Sequence, residues 1–379
     1  MSTEFAAWMD AVEPSETARM ADLASRLRRE GADVVGMETA DPDFPTPEHV
    51  RDAAKAALDR GETGYPPTPG LYDFRAAIAH KLSAENDLPT DPEEVYVTPG
   101  SKYALFEAVA TLVRAGDEVV IPEPAWVSYE PMVKIAGGVV EPMALDAETG
   151  FEPTAADLQS AVSDDTRLFV LNTPSNPTGA VYERETLEAL ADLAVDHDFW
   201  VLADEIYEKL IYDGEHVSIG SLPGMAERTI TVNALSKGYA MTGWRLGYIT
   251  GPQAFVDALG TLQSHSVTSA TVFAQRGGIA ALEGPREPFE ELRETFHDRR
   301  DVLVDVLSDA GVDVPVPEGG LSAFVPVGTD DVAFCEALLE SDHVATTPGT
   351  AFGREGYVRV CLTTDRVEEG IERLARQIA

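Results

Sequence analysis

The chain has 379 residues and a formal net charge of −38, with 66 acidic residues against 28 lysines and arginines. Acid spread along the whole chain argues against nucleic acid and anionic membranes as partners, because both would be repelled. Hydrophobic residues make up 44%, enough for two domains with a sizeable core, yet no apolar run approaches the roughly 20 residues of a membrane helix.

In chain order, Met1–Asp10 lacks a basic patch followed by an apolar stretch, so no signal peptide is expected and the location defaults to the cytoplasm. A helical pattern runs from Ser15 to Glu30, and a short strand follows at Val34–Met37. From about residue 90 to 250, short β-branched apolar runs alternate with helical patterns. The expected strands are Val95–Thr98, Glu118–Ile121, Leu168–Leu171, Trp200–Ala203, Thr229–Val232 and Leu246–Ile249. Tyr103–Val113 and Arg184–Asp196 read as helices between them. Continuous apolar strands suit a sheet buried on both faces, and the alternation implies βαβ units with a mostly parallel sheet. The remainder, to residue 379, carries the signals of a second small α/β unit, punctuated by Val312–Glu318 and Pro348-Gly349-Thr350. The organisation expected is a large domain over 46–275 and a small domain built from 1–45 and 276–379. Two cysteines, Cys335 and Cys361, are too few for a disulfide framework and too far apart for a zinc knuckle. Both read as core thiols, and no metal site is expected.

The charge also bears on the solvent. Lysine occurs only at Lys55, Lys81, Lys102, Lys134, Lys209 and Lys237, while arginine is far commoner. Unscreened, so much acid would destabilise a compact state. At molar salt the Debye length falls to about 3 Å and the repulsion fades. A cytoplasm of very high salt is therefore expected, the alternative being an ordinary acidic protein.

Ligands on parallel sheets sit at the carboxyl ends of strands, so the polar residues that follow strands matter most. Thr98-Pro99-Gly100-Ser101-Lys102 lies between a strand and a helix; it reads either as an anion cup at a helix N-terminus or as a plain turn. Asn172–Gly179 is stiffened by two prolines and reads as turn chemistry or as a rigid mount for Asn176. Asp204 ends an apolar strand, where an acid is costly without a cationic partner; it is suited to a protonated ring nitrogen or to capping the next segment. Lys237 follows Ser236 after a strand, with Arg245 eight residues on. A buried lysine there would have a depressed pKa and serve as a nucleophile, the alternative being a solvated surface lysine. Arg359 interrupts an apolar strand pattern and calls for an anionic ligand or an internal salt bridge.

In this order and spacing the clusters resemble the fold-type I pyridoxal-phosphate aminotransferases of class I/II. The resemblance spans nearly the whole chain, through Ala40–Pro47, Gly64–Gly70, Ser175–Gly179, Asp204–Tyr207, Ser236-Lys237 and Met241–Gly247. It implies a large domain with a mostly parallel seven-stranded sheet between helices, plus a small α/β domain. It also implies pyridoxal 5′-phosphate on Lys237 as a Schiff base, with Lys237 moving the α-proton once released. Asp204 would pair with the pyridine nitrogen, and Tyr207 and Asn176 with the ring's phenolic oxygen. Trp126 would stack on the ring. Gly100, Ser101, Lys102, Ser236 and Arg245 would form the phosphate cup, and Tyr65 would reach the phosphate of a neighbouring subunit in a homodimer. Arg359 would clamp the substrate α-carboxylate, and a ping-pong transfer would follow.

Pro14–Thr17 and Gly100–Lys102 resemble the bacterial-type aspartate aminotransferase subgroup, in which a threonine and a lysine bind a distal carboxylate. Thr17 and Lys102 match, so aspartate or glutamate is the expected donor, with Lys102 serving substrate more than phosphate. Two positions depart from the family. Ala40 stands where glycine is usual, tightening the site while its N–H still faces the substrate. Gly319-Gly320-Leu321-Ser322 replaces a Gly-Gly-Phe-Tyr segment, which is expected to remove aromatic bulk beside the substrate. An aromatic or alanine donor, a C–S β-lyase on the same fold, and a non-catalytic sensor module remain as alternatives.

Overall fold

The computed structural model describes residues 6–378. Each of the six apolar runs expected as strands between residues 90 and 250 pairs into one seven-stranded sheet. Its strands are β2 (Val95–Thr98), β3 (Glu118–Glu123), β4 (Val139–Ala144), β5 (Thr166–Asn172), β6 (Trp200–Asp204), β7 (Thr229–Ala234) and β8 (Gly247–Thr250). The order across the sheet is β2-β8-β7-β6-β5-β3-β4. Only β8 runs against its neighbours, so the carboxyl ends of the other six strands share one edge.

The two-residue period of each central strand feeds two cores. Phe169 and Leu171 of β5 point into one, with Leu187, Leu190 and Ala191 of α7 (Arg184–Asp196) and Leu158 of α6 (Ala155–Ala161). Leu168 and Val170 point into the other, with α4 (Ser101–Leu112), α5 (Tyr129–Ala136) and α8 (Gln253–Ser266). Both faces are covered, which is why these strands read as unbroken apolar runs. The sequence reading missed β4. It lies at the sheet edge, contains Pro142, and leaves Val139 46% exposed. An edge strand of this kind needs no apolar alternation.

Helix α1 (Glu16–Arg29) starts on Ser15, whose hydroxyl accepts from the Ala18 N–H, and it buries Met20 and Ala24. It leads to β1 (Val35–Gly36), which pairs in parallel with β10 (Val344–Ala345). A second sheet joins β11 (Thr347–Pro348), β12 (Tyr357–Cys361) and β9 (Ser322–Pro326), all antiparallel. The core beneath these strands draws on α10 (Glu287–Asp309), α11 (Asp331–Ser341) and α12 (Val367–Ile378), together with Met20, Ala24, Val35 and Met37 near the chain start. Helix α9 (Val272–Glu283) packs against both α2 (Glu48–Asp59) and α3 (Tyr72–Glu85), and α3 also borders β2. Among the described residues, no helix is long and apolar enough to cross a membrane.

Leu202 of β6 is wholly buried at the middle of the large sheet. Its replacement by alanine is expected to lower stability by about 2–5 kcal/mol through lost transfer energy and the cavity left behind. Urea unfolding at molar KCl measures this, and an unchanged midpoint would contradict the packing described.

Candidate active site

The shared edge of the large sheet opens onto a cavity of about 360 Å³, a size typical of small-molecule sites. Most of the residues singled out in the sequence line it: Thr17, Ala40, Ser101, Lys102, Trp126, Asn176, Asp204, Tyr207, Ser236, Lys237, Arg245 and Arg359. Gly100 lies against Arg245, one of the lining residues, and Tyr65 is not among the residues that line it.

The turn from β2 to α4 depends on two glycines. Gly100 has φ +87°, and a Cβ there would lie 2.6 Å from a guanidinium nitrogen of Arg245. A Cβ on Gly247 would lie 2.6 Å from the Ser101 nitrogen. Their bareness lets the helix start, Arg245 and β8 converge. Arg245 itself adopts φ +50°, with Nη1 donating to the Thr242 carbonyl at 2.9 Å. Among the described residues it meets no carboxylate, so an exposed guanidinium and a helix N-terminus face the same space.

Lys237 follows β7 and is largely withdrawn from solvent. Its ammonium donates to the Ala40 carbonyl. Burial lowers its pKa to about 8, opposed by the nearby Asp41 carboxylate. The surface-lysine alternative is thereby set aside.

Asp204 ends β6 beside Asn172 of β5 and is 4% exposed. Burial raises its pKa to about 6, and a hydrogen bond from the Tyr129 hydroxyl, 2.7 Å from Oδ2, works the other way. No cation pairs with it among the described residues. The Asp204 carbonyl accepts from the Asn172 side chain at 2.9 Å. Just beyond it, Glu205 is buried against the Ser218 hydroxyl and Asn86. Glu208 pairs with buried Lys81. Glu205, Glu208 and His216 approach one another closely, but Lys81, Asn86 and Ser218 already engage the two carboxylates. This network anchors the segment that carries Tyr207, whose phenol is buried and pushed well above its ordinary pKa.

Arg359 is 3% exposed, and the salt-bridge alternative fails among the described residues. Its partners are neutral. Nη1 donates to Asn176 Oδ1 at 3.2 Å, and Nη2 donates to the Glu38 carbonyl at 2.6 Å. The guanidinium lies over the Phe352 ring at 4.8 Å, and Nε is buried without any partner. Asn176 is itself set by its N–H, which donates to Asn172 Oδ1 at 2.8 Å. The Thr17 hydroxyl is likewise buried and unpartnered. Lys102 is exposed, with its ammonium over the Trp126 ring at 4.9 Å.

Leu321 and Ser322, which stand where the resemblance puts aromatic residues, contribute no bulk to the cavity wall. Leu321 packs into the core with Tyr207 and Leu210, and the Ser322 hydroxyl donates to the Pro177 carbonyl at 2.9 Å. Neither lines the cavity. Tyr129 was missed in the sequence. Its position, three residues beyond Trp126 at a helix start, was the available signal.

Comparison with known proteins agrees with this geometry. The family model for aminotransferase class I and II matches residues 32–378. An aspartate/prephenate aminotransferase of Thermus thermophilus is 43% identical over 376 residues, covering 97% of each chain. An aspartate aminotransferase of Bacillus subtilis is 39% identical over 383 residues, again covering 97% of each. The solved structure of an aspartate aminotransferase from Thermus thermophilus with maleate matches with a TM-score of 0.95 at 42% identity, covering 99% of both chains. An aromatic aminotransferase from Pyrococcus horikoshii matches with a TM-score of 0.88 at 39% identity, covering 93% of this chain and 98% of that one. The chain belongs to the class I and II aminotransferases. It is a pyridoxal-phosphate-dependent transaminase acting on amino acids and 2-oxo acids.

With its pKa near 8, half of the Lys237 amine is neutral at that pH in the cofactor-free chain. Reductive capture of Lys237 by a small aldehyde is therefore expected to accelerate with a midpoint near pH 8. Peptide mass mapping reads the labelled fraction, and a midpoint near the ordinary lysine value of 10.5 would refute the burial effect.

Proposed function

We propose that the enzyme takes its amino group from aspartate or glutamate. The observation that carries this is the pairing of two unsatisfied groups across one cavity. Among the described residues, the Arg359 Nε is buried without a partner, and so is the Thr17 hydroxyl. A donor with two carboxylates satisfies both: Arg359 binds the α-carboxylate as a fork, and Thr17 with Lys102 binds the distal one. The names of the relatives and the maleate complex, a four-carbon dicarboxylate bound by a similar chain, support the same reading.

The residues suit pyridoxal phosphate. Gly100, Ser101, Ser236 and Arg245 would cradle the phosphate, in a turn where a Cβ at 100 would meet the Arg245 guanidinium. Bound pyridoxal phosphate supplies an electron sink that makes the donor's α-proton acidic. Asp204 would accept a hydrogen bond from the protonated ring nitrogen, the cation its buried carboxylate otherwise lacks. Tyr207 and Asn176 would donate to the ring's phenolic oxygen, and Trp126 would cover the ring. Lys237 would hold the cofactor through Nζ and, once released, would move the donor's α-proton on that same atom. Ala40 limits the room beside Lys237.

The likeness to an aromatic aminotransferase favours a second reading, in which Lys102 swings out and aromatic donors enter. A substrate panel decides between them. Thr17→Val with Lys102→Ala is expected to cut kcat/KM for aspartate at least tenfold while sparing phenylalanine. No loss for aspartate would overturn the acidic assignment, and Lys237→Ala, expected to abolish turnover, controls for the chemistry.

We further propose a cytoplasmic homodimer with neither nucleic acid nor membrane among its partners. Tyr65, 93% exposed in one chain, supports a partner subunit, whose cofactor phosphate it would meet. We propose two domains, a large one over 46–275 and a small one from 1–45 and 276–379, the latter supported by the core that Met20, Val35, Leu338, Val358 and Ile371 share. We also propose a high-salt cytoplasm, supported by the net charge of −38. The melting temperature is then expected to rise steadily from dilute buffer to molar KCl; a flat series would sink the saline reading.

A further inference from the structure

Asp204 is the acid that lines the cavity, and among the described residues its one close hydrogen-bond donor is Tyr129. The Tyr129 hydroxyl donates to Asp204 Oδ2 at 2.7 Å. The other oxygen, Oδ1, accepts from the Ile206 N–H at the longer distance of 3.4 Å. Tyr129 is 4% exposed, and its ring is packed with Val133 and Val170 at the start of α5. It also stands edge-on to Trp126, with centroids 5.2 Å apart and planes at 77°. One buried side chain thus touches both the acid offered to the ring nitrogen and the indole offered to the ring face.

We propose that Tyr129 is a positioning residue for the cofactor, acting through Asp204: its hydroxyl holds the carboxylate ionised and aimed while its ring squares Trp126. This rests on the reading that Asp204 meets the ring nitrogen. The physical reason is the strand end. A carboxylate buried there is driven towards its neutral form, and a neutral acid holds a ring proton poorly. A single O–H donor opposes that drive. Because the ring is fixed by packing, the donor costs little entropy to aim. Charge-assisted hydrogen bonds of this kind are among the stronger ones in proteins.

Tyr129→Phe removes the hydroxyl and keeps the ring, so Trp126 keeps its neighbour. The variant is expected to raise the dissociation constant of pyridoxal phosphate from the apo-enzyme about tenfold or more. It should lower kcat by a similar factor while KM changes less than about twofold. Asp204→Asn alone should weaken cofactor binding further. In the Asp204→Asn background, Tyr129→Phe should add less than about a twofold effect, since the charge it serves is gone. Tyr129→His keeps a ring with an N–H donor, and is expected to lose less than the Phe variant; it also serves if the Phe variant does not fold. A Phe variant indistinguishable from the parent overturns the proposal, as does an equal loss in both backgrounds, which marks a general packing role. An Asp204→Asn variant that binds cofactor normally defeats the reading of Asp204 itself, a result separable from the failure of Tyr129.

Discussion

The guanidinium of Arg359 joins three parts of the chain that are remote in sequence. It sits on β12 of the three-stranded sheet. It donates to Asn176, which follows β5 of the large sheet, and to the carbonyl of Glu38, which follows β1. Lys237 makes a parallel link from β7 to the Ala40 carbonyl. The cavity exists because these segments are drawn together around it. A buried cation whose partners among the described residues are all neutral is costly, and on the proposed reading the substrate α-carboxylate offsets that cost. That demand lies where the segment after β1, the large sheet and β12 meet.

The sheet edge explains how the other groups arrive. Asn172 and Asp204 are paired across β5 and β6, and Lys237 and the Gly100 turn stand at the ends of β7 and β2. With Trp126, which follows β3, five loops reach the cavity from one rim, so their side chains converge without any long excursion. This is the physical reason that chemistry gathers at the carboxyl ends of parallel strands. It also made much of the site legible in the sequence. Continuous apolar runs identified the strands, and polar residues soon after several of them, Asn172, Asp204, Ser236 and Lys237, line the cavity.

What escaped had weak periodic signals. Strand β4 is half in solvent and carries Pro142, so neither alternation nor an unbroken apolar run marks it. Tyr129 contributes one hydroxyl from a helix start, and nothing in its neighbours foretells that Asp204 lies opposite. Leu321 and Ser322 were read by position in a motif, yet the backbone turns them into the core and onto the Pro177 carbonyl. Arg359 was recognisable as an arginine in an apolar strand. That no carboxylate among the described residues pairs with it became visible only in three dimensions. Patterning along the chain carries burial and period, whereas partnership between remote side chains is a property of the assembled fold.

Charge gives the last constraint. The whole chain carries −38, but the cavity lining inverts that balance, with Lys102, Lys237, Arg245 and Arg359 against Asp204. Substrates with one or two carboxylates and a cofactor phosphate must cross an anionic exterior to reach it. In dilute solution the long-range field opposes their approach. On the proposed high-salt reading, a Debye length of about 3 Å removes that field a few ångströms from the surface. Contact pairs inside the cavity lie within that distance and are screened far less. Salt then does two things at once: it relaxes the repulsion that opposes folding, and it opens the approach of anions to a site whose attraction acts only at contact. An acidic shell around a basic pocket is thus compatible with anionic substrates under the same condition that makes the shell itself stable.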